Sequence, residues 1–114
     1  MPLRQRLTKA DVTRRDALQQ RLFSAFVTAL EVQSVHLGRR LGYYDALAAG
    51  GPATAKQLAT RTSTDVRYAR EWLEQQAVAG LLDVVAGSTP ASRRYALPAG
   101  FHEVLHDAAS LRFV

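Results

Sequence analysis

The apolar positions of this chain change period along its length, and most of the changes are punctuated. From about residue 11 to residue 41, Leu18, Leu22, Ala25, Phe26, Ala29, Leu30, Val32 and Val35 recur at three- and four-residue spacing, which predicts one long helix with a wide apolar band. Either Asp11 or Thr13 can cap its start. Gly38 and Gly42 interrupt the pattern, and Tyr43-Tyr44-Asp45-Ala46-Leu47-Ala48-Ala49 reads as a short helix within 42–51, ended by Gly50-Gly51-Pro52. Thr54-Ala55-Lys56-Gln57 has the form of a capping box, in which the Thr hydroxyl accepts from a first-turn N–H while Gln57 reaches back to the cap residue. A helix from Ala55 to Arg61 follows from it. The hydroxyl run Thr62-Ser63-Thr64 predicts a turn, with Thr64 as the next N-cap and Asp65 in the positive first turn of a helix over 65–79.

That helix has two apolar stripes, Val66, Ala69, Leu73, Ala77 and Gly80 on one and Tyr68, Trp72 and Ala79 on its neighbour, so contact on two sides is expected. Tyr68 and Trp72 could stack on a base or an aromatic ligand, but at helical spacing they read first as packing residues. Gly80 supplies a left-handed residue to close the helix, and the β-branched run Leu81-Leu82-Asp83-Val84-Val85 has strand length. Gly87-Ser88-Thr89-Pro90-Ala91-Ser92 is a loop by composition, and Arg93-Arg94-Tyr95-Ala96-Leu97 returns before Pro98 ends the pairing. The fold class is α+β, mainly α: a winged helix-turn-helix with a long N-terminal helix and a two-stranded wing. The expected layout is a basic mobile arm over 1–10 and a single domain over 11–114. The domain holds the long helix (11–41), a first core helix (42–51), the helix-turn-helix (54–79), the wing (81–97), and a short helix around Phe101 to Leu105 with a loose tail (98–114).

Leu37-Gly38-x-x-Leu41-Gly42-x-Tyr44, then Arg67-Tyr68-x-Arg70-Glu71-Trp72-Leu73-x-x-Gln76-x-x-x-Gly80, then Arg94-Tyr95-x-Leu97-Pro98 resembles the N-terminal winged-helix domain of a group of bacterial S-adenosylmethionine-dependent methyltransferases, some labelled transcriptional regulators. The likeness runs from about Arg15 to Leu111. It implies a non-catalytic domain that holds a dimer together and helps to wall the substrate site. In that family methyl transfer occurs on a Rossmann-like domain with a glycine-rich cofactor loop, and this chain stops at Val114, where the connection to it would begin.

Length supports the same view. A chain of 114 residues can bury one core but is too small for a winged helix plus a cofactor-binding sheet, so no catalysis is expected of it alone. No G-x-G-x-G follows a predicted strand, and no S-adenosylmethionine binding is expected, although that cofactor is implied for the full-length family. The chain has no cysteine, which removes disulfides, thiolate nucleophiles and Cys-based zinc sites. Without an apolar run of ~20 residues or a signal peptide, no membrane is expected and the compartment is read as cytoplasm.

Charge sharpens the nucleic-acid alternative. The net charge is +5, but Arg4, Arg6, Lys9, Arg14, Arg15 and Arg21 against Asp11 and Asp16 place nearly all of the surplus before residue 22. In the presumed recognition helix Arg67 and Arg70 are outnumbered by Asp65, Glu71 and Glu74, with Arg67–Glu71 and Arg70–Glu74 at ion-pair spacing. A free-standing DNA-binding regulator would use Thr64, Arg67, Tyr68 and Arg70 in the major groove, Arg93 and Arg94 on the backbone, and Arg4, Arg6 and Lys9 as the arm. Any such binding is expected to be weak. The long helix poses its own choice: its apolar residues pack on the domain's own core, or the helix is shared between two protomers. The band's width favours a homodimer centred on Leu22, Phe26, Ala29 and Leu30. A methyltransferase catalytic domain, separate or lost, is the other implied partner.

Two histidine features complete the inventory. His36, alone on a mostly apolar helix with no evident acidic partner, reads as a core or interface residue. His102-Glu103-Val104-Leu105-His106 matches the H-E-x-x-H zinc pattern, but a third ligand is missing and the glycine and third histidine of the extended form are replaced by Ala109 and Arg112. No metal is expected there.

Overall fold

The computed structural model describes residues 6–106. Among them the elements run α1 (Lys9–Arg40), α2 (Tyr43–Gly50), α3 (Ala55–Thr62), α4 (Val66–Val78), β1 (Asp83–Ala86), β2 (Arg94–Ala96) and α5 (Phe101–His106). Five helices and one two-stranded antiparallel sheet make this a mainly helical winged helix among the described residues. None of these helices is long and apolar enough to cross a membrane. The chain divides into two compact units, one ending at Leu30 and the other beginning at Glu31.

In the first unit, α1 starts from a capping box formed by Thr8 and Asp11. The Thr8 N–H donates to Asp11 Oδ2 at 2.9 Å, and the Asp11 N–H donates to Thr8 Oγ1 at 3.1 Å. The helix therefore begins inside the expected arm, and the cap is Thr8 rather than Asp11 or Thr13. Thr13 instead donates its hydroxyl back to the Lys9 carbonyl at 3.0 Å. The bonds from Thr8, the backbone one first, hold the Asp11 carboxyl below the usual carboxylate range. Arg4 and the tail beyond His106 lie outside the described residues.

The second unit holds the core, built from Val35, Tyr43, Tyr44, Leu47, Leu58, Ala69, Trp72, Leu73, Leu82, Tyr95 and Leu105 with small alanines between them. Thr54 and Gln57 form the anticipated box, Thr54 N to Gln57 Oε1 at 2.9 Å and Gln57 N to Thr54 Oγ1 at 3.2 Å. The next cap differs from expectation. Asp65, not Thr64, caps α4, its Oδ1 accepting from the N–H groups of Arg67 at 2.8 Å and Tyr68 at 3.2 Å. Thr64 is taken up in the turn, where its hydroxyl meets those of Tyr43 at 3.0 Å and Thr62 at 2.9 Å.

At its other end α4 closes as anticipated: Gly80 has φ +79, and the N–H groups of Gly80 and Leu81 reach back to the carbonyls of Ala77 and Gln76. This turn carries the chain out of the helix, and Leu82 enters the core while pairing starts at Asp83 rather than Leu81. Strands β1 and β2 pair Asp83 with Ala96 and Val84 with Tyr95, and an irregularity after Val84 shifts the register so that Ala86 meets Arg94. Ala53 adds a bridge to Tyr95, with N–H···O distances of 3.0 and 2.9 Å, so the segment before α3 is tied to the wing.

One side of α4 is buried and the other is not. Ala69, Trp72, Leu73 and Gln76 face inward, whereas Tyr68 is 67% exposed and Val66 is exposed as well. Tyr68 is thus a surface residue, correcting its assignment to packing, while Trp72 is the packing residue expected. Trp72 sits against Tyr43 and Tyr44 with ring centroids 4.7 and 5.1 Å away, and its Nε1–H donates to the Ser34 carbonyl at 3.0 Å. Beneath it, the Tyr44 hydroxyl donates to Gln76 Oε1, and Gln76 Nε2 donates to Ser34 Oγ at 3.1 Å, so the one fully buried amide among the described residues is paired at both ends. Burial raises the Tyr44 phenol above its ordinary pKa.

Candidate functional site

Three surfaces carry chemistry. The first is the helix-turn-helix with its wing. Arg67 and Tyr68 are exposed in the first turn of α4, and the anticipated Arg67–Glu71 pair forms, Nε to Oε1 at 3.5 Å. The companion Arg70–Glu74 pair is not formed among the described residues; Arg70 is half-buried, and its Nε has no hydrogen-bond partner there. In the wing Arg94 is exposed and Arg93 half-buried. Of the major-groove candidates, Thr64 is held in the turn and Arg70 is partly covered, which leaves Tyr68 and the Glu71-paired Arg67 as the exposed side chains. Arg6 and Lys9, from the basic segment, are exposed.

The second surface is an apolar band on α1. Leu18, Leu22, Phe26 and Leu30 follow one another at intervals of four, with Phe23 and Val27 alongside, and all six are exposed, Phe23 and Phe26 by 63% and 61%. Ala29 is exposed with them. Arg14, Arg15, Gln19, Gln20 and Ser24 supply polar positions between and opposite them. The expected interface residues thus share one apolar band, as their spacing required.

The third surface is a cluster that sequence alone did not assemble. The i, i+4 spacing of His102 and His106 on α5 puts both rings on one face, 5.0 Å apart at 30°. Asp45, from the first turn of α2, meets them: its Oδ1 lies 2.8 Å from His102 Nε2 and 2.8 Å from His106 Nδ1. Leu105, buried on the same short helix, packs into the core, and Arg39 Nη2 donates to the His106 carbonyl at 3.3 Å. The hydrogen bond from His102 is the largest influence on the Asp45 carboxyl and holds it below its ordinary range; slight burial opposes this and His106 adds to it. A pocket of about 120 Å³ adjoins the cluster, lined by Arg39, Tyr44, Asp45, Leu105 and His106. From the sequence no third ligand was in view, because the carboxylate lies 57 residues before His102. The only local hint was an acidic residue in a short helix next to two core tyrosines.

A family model described as the Rv2258c-like winged HTH domain matches residues 25–107, more than two thirds of the chain. No curated protein matches it.

Proposed function

The chain belongs to the Rv2258c-like winged helix-turn-helix family, and from that premise we propose that it serves as a dimerisation domain rather than as a catalyst. In the setting of the methyltransferases it resembles, its part is to hold two protomers together and to help wall the substrate site, with S-adenosylmethionine bound elsewhere. The exposed band on α1 supports this reading. Six large apolar side chains within thirteen residues of one helix exceed the scattered exposure usual on a monomer's surface, and two-fold pairing of the same band on a second copy covers both. The polar positions of α1 are net basic before residue 22, with Lys9, Arg14, Arg15 and Arg21 against Asp11 and Asp16, but the apolar band itself carries no charge for an oppositely charged partner to meet.

Light scattering tests it. At micromolar concentration the intact chain should run at about twice its 12.5 kDa mass. Leu22→Asp with Phe26→Asp should give a monomer whose second unit keeps its melting temperature, since each change places a charge where ~1.5–3 kcal/mol of apolar burial is expected, once per protomer. A monomer for the unmodified chain would sink the proposal.

A second reading, DNA binding, has the winged-helix family and the exposed Arg67, Tyr68 and Arg94 in its favour. It is weakened by the pairing of Arg67 with Glu71, and by Glu71, Glu74 and the N-cap Asp65 outnumbering Arg67 and Arg70. Binding to duplex DNA should therefore be weak, steeply salt-dependent and insensitive to sequence. Removing residues 1–7, which spares the Thr8 cap but takes Arg4 and Arg6, should lower the salt slope by about two, at ~0.9 per phosphate contact. Arg67→Ala should change fluorescence-anisotropy titrations little. If Arg67→Ala instead abolishes binding to one particular sequence, the regulator reading replaces dimer scaffolding as the domain's role.

A further inference from the structure

We propose that Asp45, His102 and His106 form a binding site for one divalent transition-metal ion of the zinc class, fastening α5 to α2. Two imidazole nitrogens and one carboxylate oxygen lie within 4.8 Å of one another, drawn from two separate helices. This is the donor set that borderline divalent ions take when one side is left open: two histidines and one carboxylate, with the remaining position for water or a small anion. The three atoms already converge on one point. Bonds of about 2.0–2.1 Å to a tetrahedral ion space the ligand atoms about 3.3 Å apart, so the two N···O separations of 2.8 Å widen by ~0.5 Å while the two imidazole nitrogens, within 4.8 Å of each other, settle to the same spacing.

Three features make this more than a chance meeting of polar residues. The two histidines are four apart on a helix whose Leu105 is buried, so their common face is fixed rather than free to turn away. The carboxylate sits in the first turn of α2, whose Tyr43, Tyr44 and Leu47 are core residues, so it too stands on a rigid element. The pocket beside the cluster is roomy enough for water at the open position, and Arg39 on its wall favours an anionic occupant. The alternative is that Asp45 accepts two N–H bonds and pins α5 without an ion. Both arrangements use the same atoms, and metal affinity separates them.

Calorimetric titration of the tag-free chain with zinc or cobalt chloride should show one equivalent bound at micromolar or tighter dissociation constant. Zinc should raise the melting temperature by about 5 °C or more when it is well above that constant. His102→Ala and His106→Ala should each weaken binding about 100-fold or more and Asp45→Asn at least 10-fold, with circular dichroism confirming that each variant is folded. His36→Ala should leave binding unchanged. Because loss of a ligand could also loosen α5, the unmodified chain supplies a readout without mutation: zinc should shift the ring resonances of His102 and His106 and leave those of His36 in place. Absence of saturable binding, or binding that survives in the folded double variant His102→Ala with His106→Ala, would overturn the proposal, as would ring shifts confined to His36.

Discussion

Replacing Trp72 with alanine should cost the second unit about 3–5 kcal/mol, a large share of the 5–15 kcal/mol by which a domain is usually stable. The indole is 5% exposed, touches the rings of Tyr43 and Tyr44, and bonds the Ser34 carbonyl, so its removal opens a cavity where α1, α2 and α4 meet. For a unit of this size the melting temperature, followed by far-ultraviolet circular dichroism, should fall on the order of 20 °C. Trp72→Phe keeps ring contact and loses the N–H donor, and should cost only about 1–2 kcal/mol. If the two variants melt together, the loss comes from the hydrogen bond and not from packing.

The second large effect concerns the residue on which that indole rests. A Cβ at Gly38 would lie 2.3 Å from Trp72 Cζ2, 2.8 Å from Trp72 Cε2 and 3.0 Å from Tyr44 Cε2. Alanine in place of glycine within a helix ordinarily gains about 1 kcal/mol. Here the overlap falls on two rings packed against each other, with no flexible end to swing aside, and overpacking of this kind costs about 1–3 kcal/mol or more. Gly38→Ala should therefore destabilise on balance, and Gly38→Val more strongly. The sign should reverse when the obstructing ring is gone: in a Trp72→Ala background, Gly38→Ala should stabilise by roughly 1 kcal/mol. Chemical-denaturation curves for the four proteins of this cycle check it, and a destabilising Gly38→Ala in both backgrounds would show that the indole is not what excludes the methyl group.

This contact also marks where sequence reading reached its limit. Gly38 was legible as a break in the apolar pattern of the long helix and as part of a family motif, but not as the close approach to Trp72 that it serves, a relation between residues 34 apart. The apolar period placed Trp72 and Tyr68 in one stripe. What separated them is that α1 and α2 cover the first and nothing among the described residues covers the second. Gln76, polar by type, became the best-paired amide of the interior because Tyr44 and Ser34 meet it there.

Local chemistry was legible. The Thr54–Gln57 box, the Gly80 closure, the hairpin and the Arg67–Glu71 pair each involve residues at most a hairpin's length apart, and stereochemistry sets them with little help from the rest of the chain. The order of those elements sufficed to identify the winged helix. Even so, the sequence left ties between neighbouring signals: Thr8 and Asp11 have the same spacing as Thr13 and Asp16, and Asp65 stands beside Thr64. Residues outside each pair broke the second tie, since Tyr43 claims the Thr64 hydroxyl and leaves Asp65 to cap.

What only the tertiary structure decided are the meetings across long stretches of chain. Ala53 bridges Tyr95, and Asp45 joins His102 and His106. The sequence determined that α5 would present two imidazoles on one face, because the spacing of a helix fixes that. It could not determine what they would face, because the direction in which one helix points relative to another is set by the shape of the core between them, here Tyr44 and Leu105.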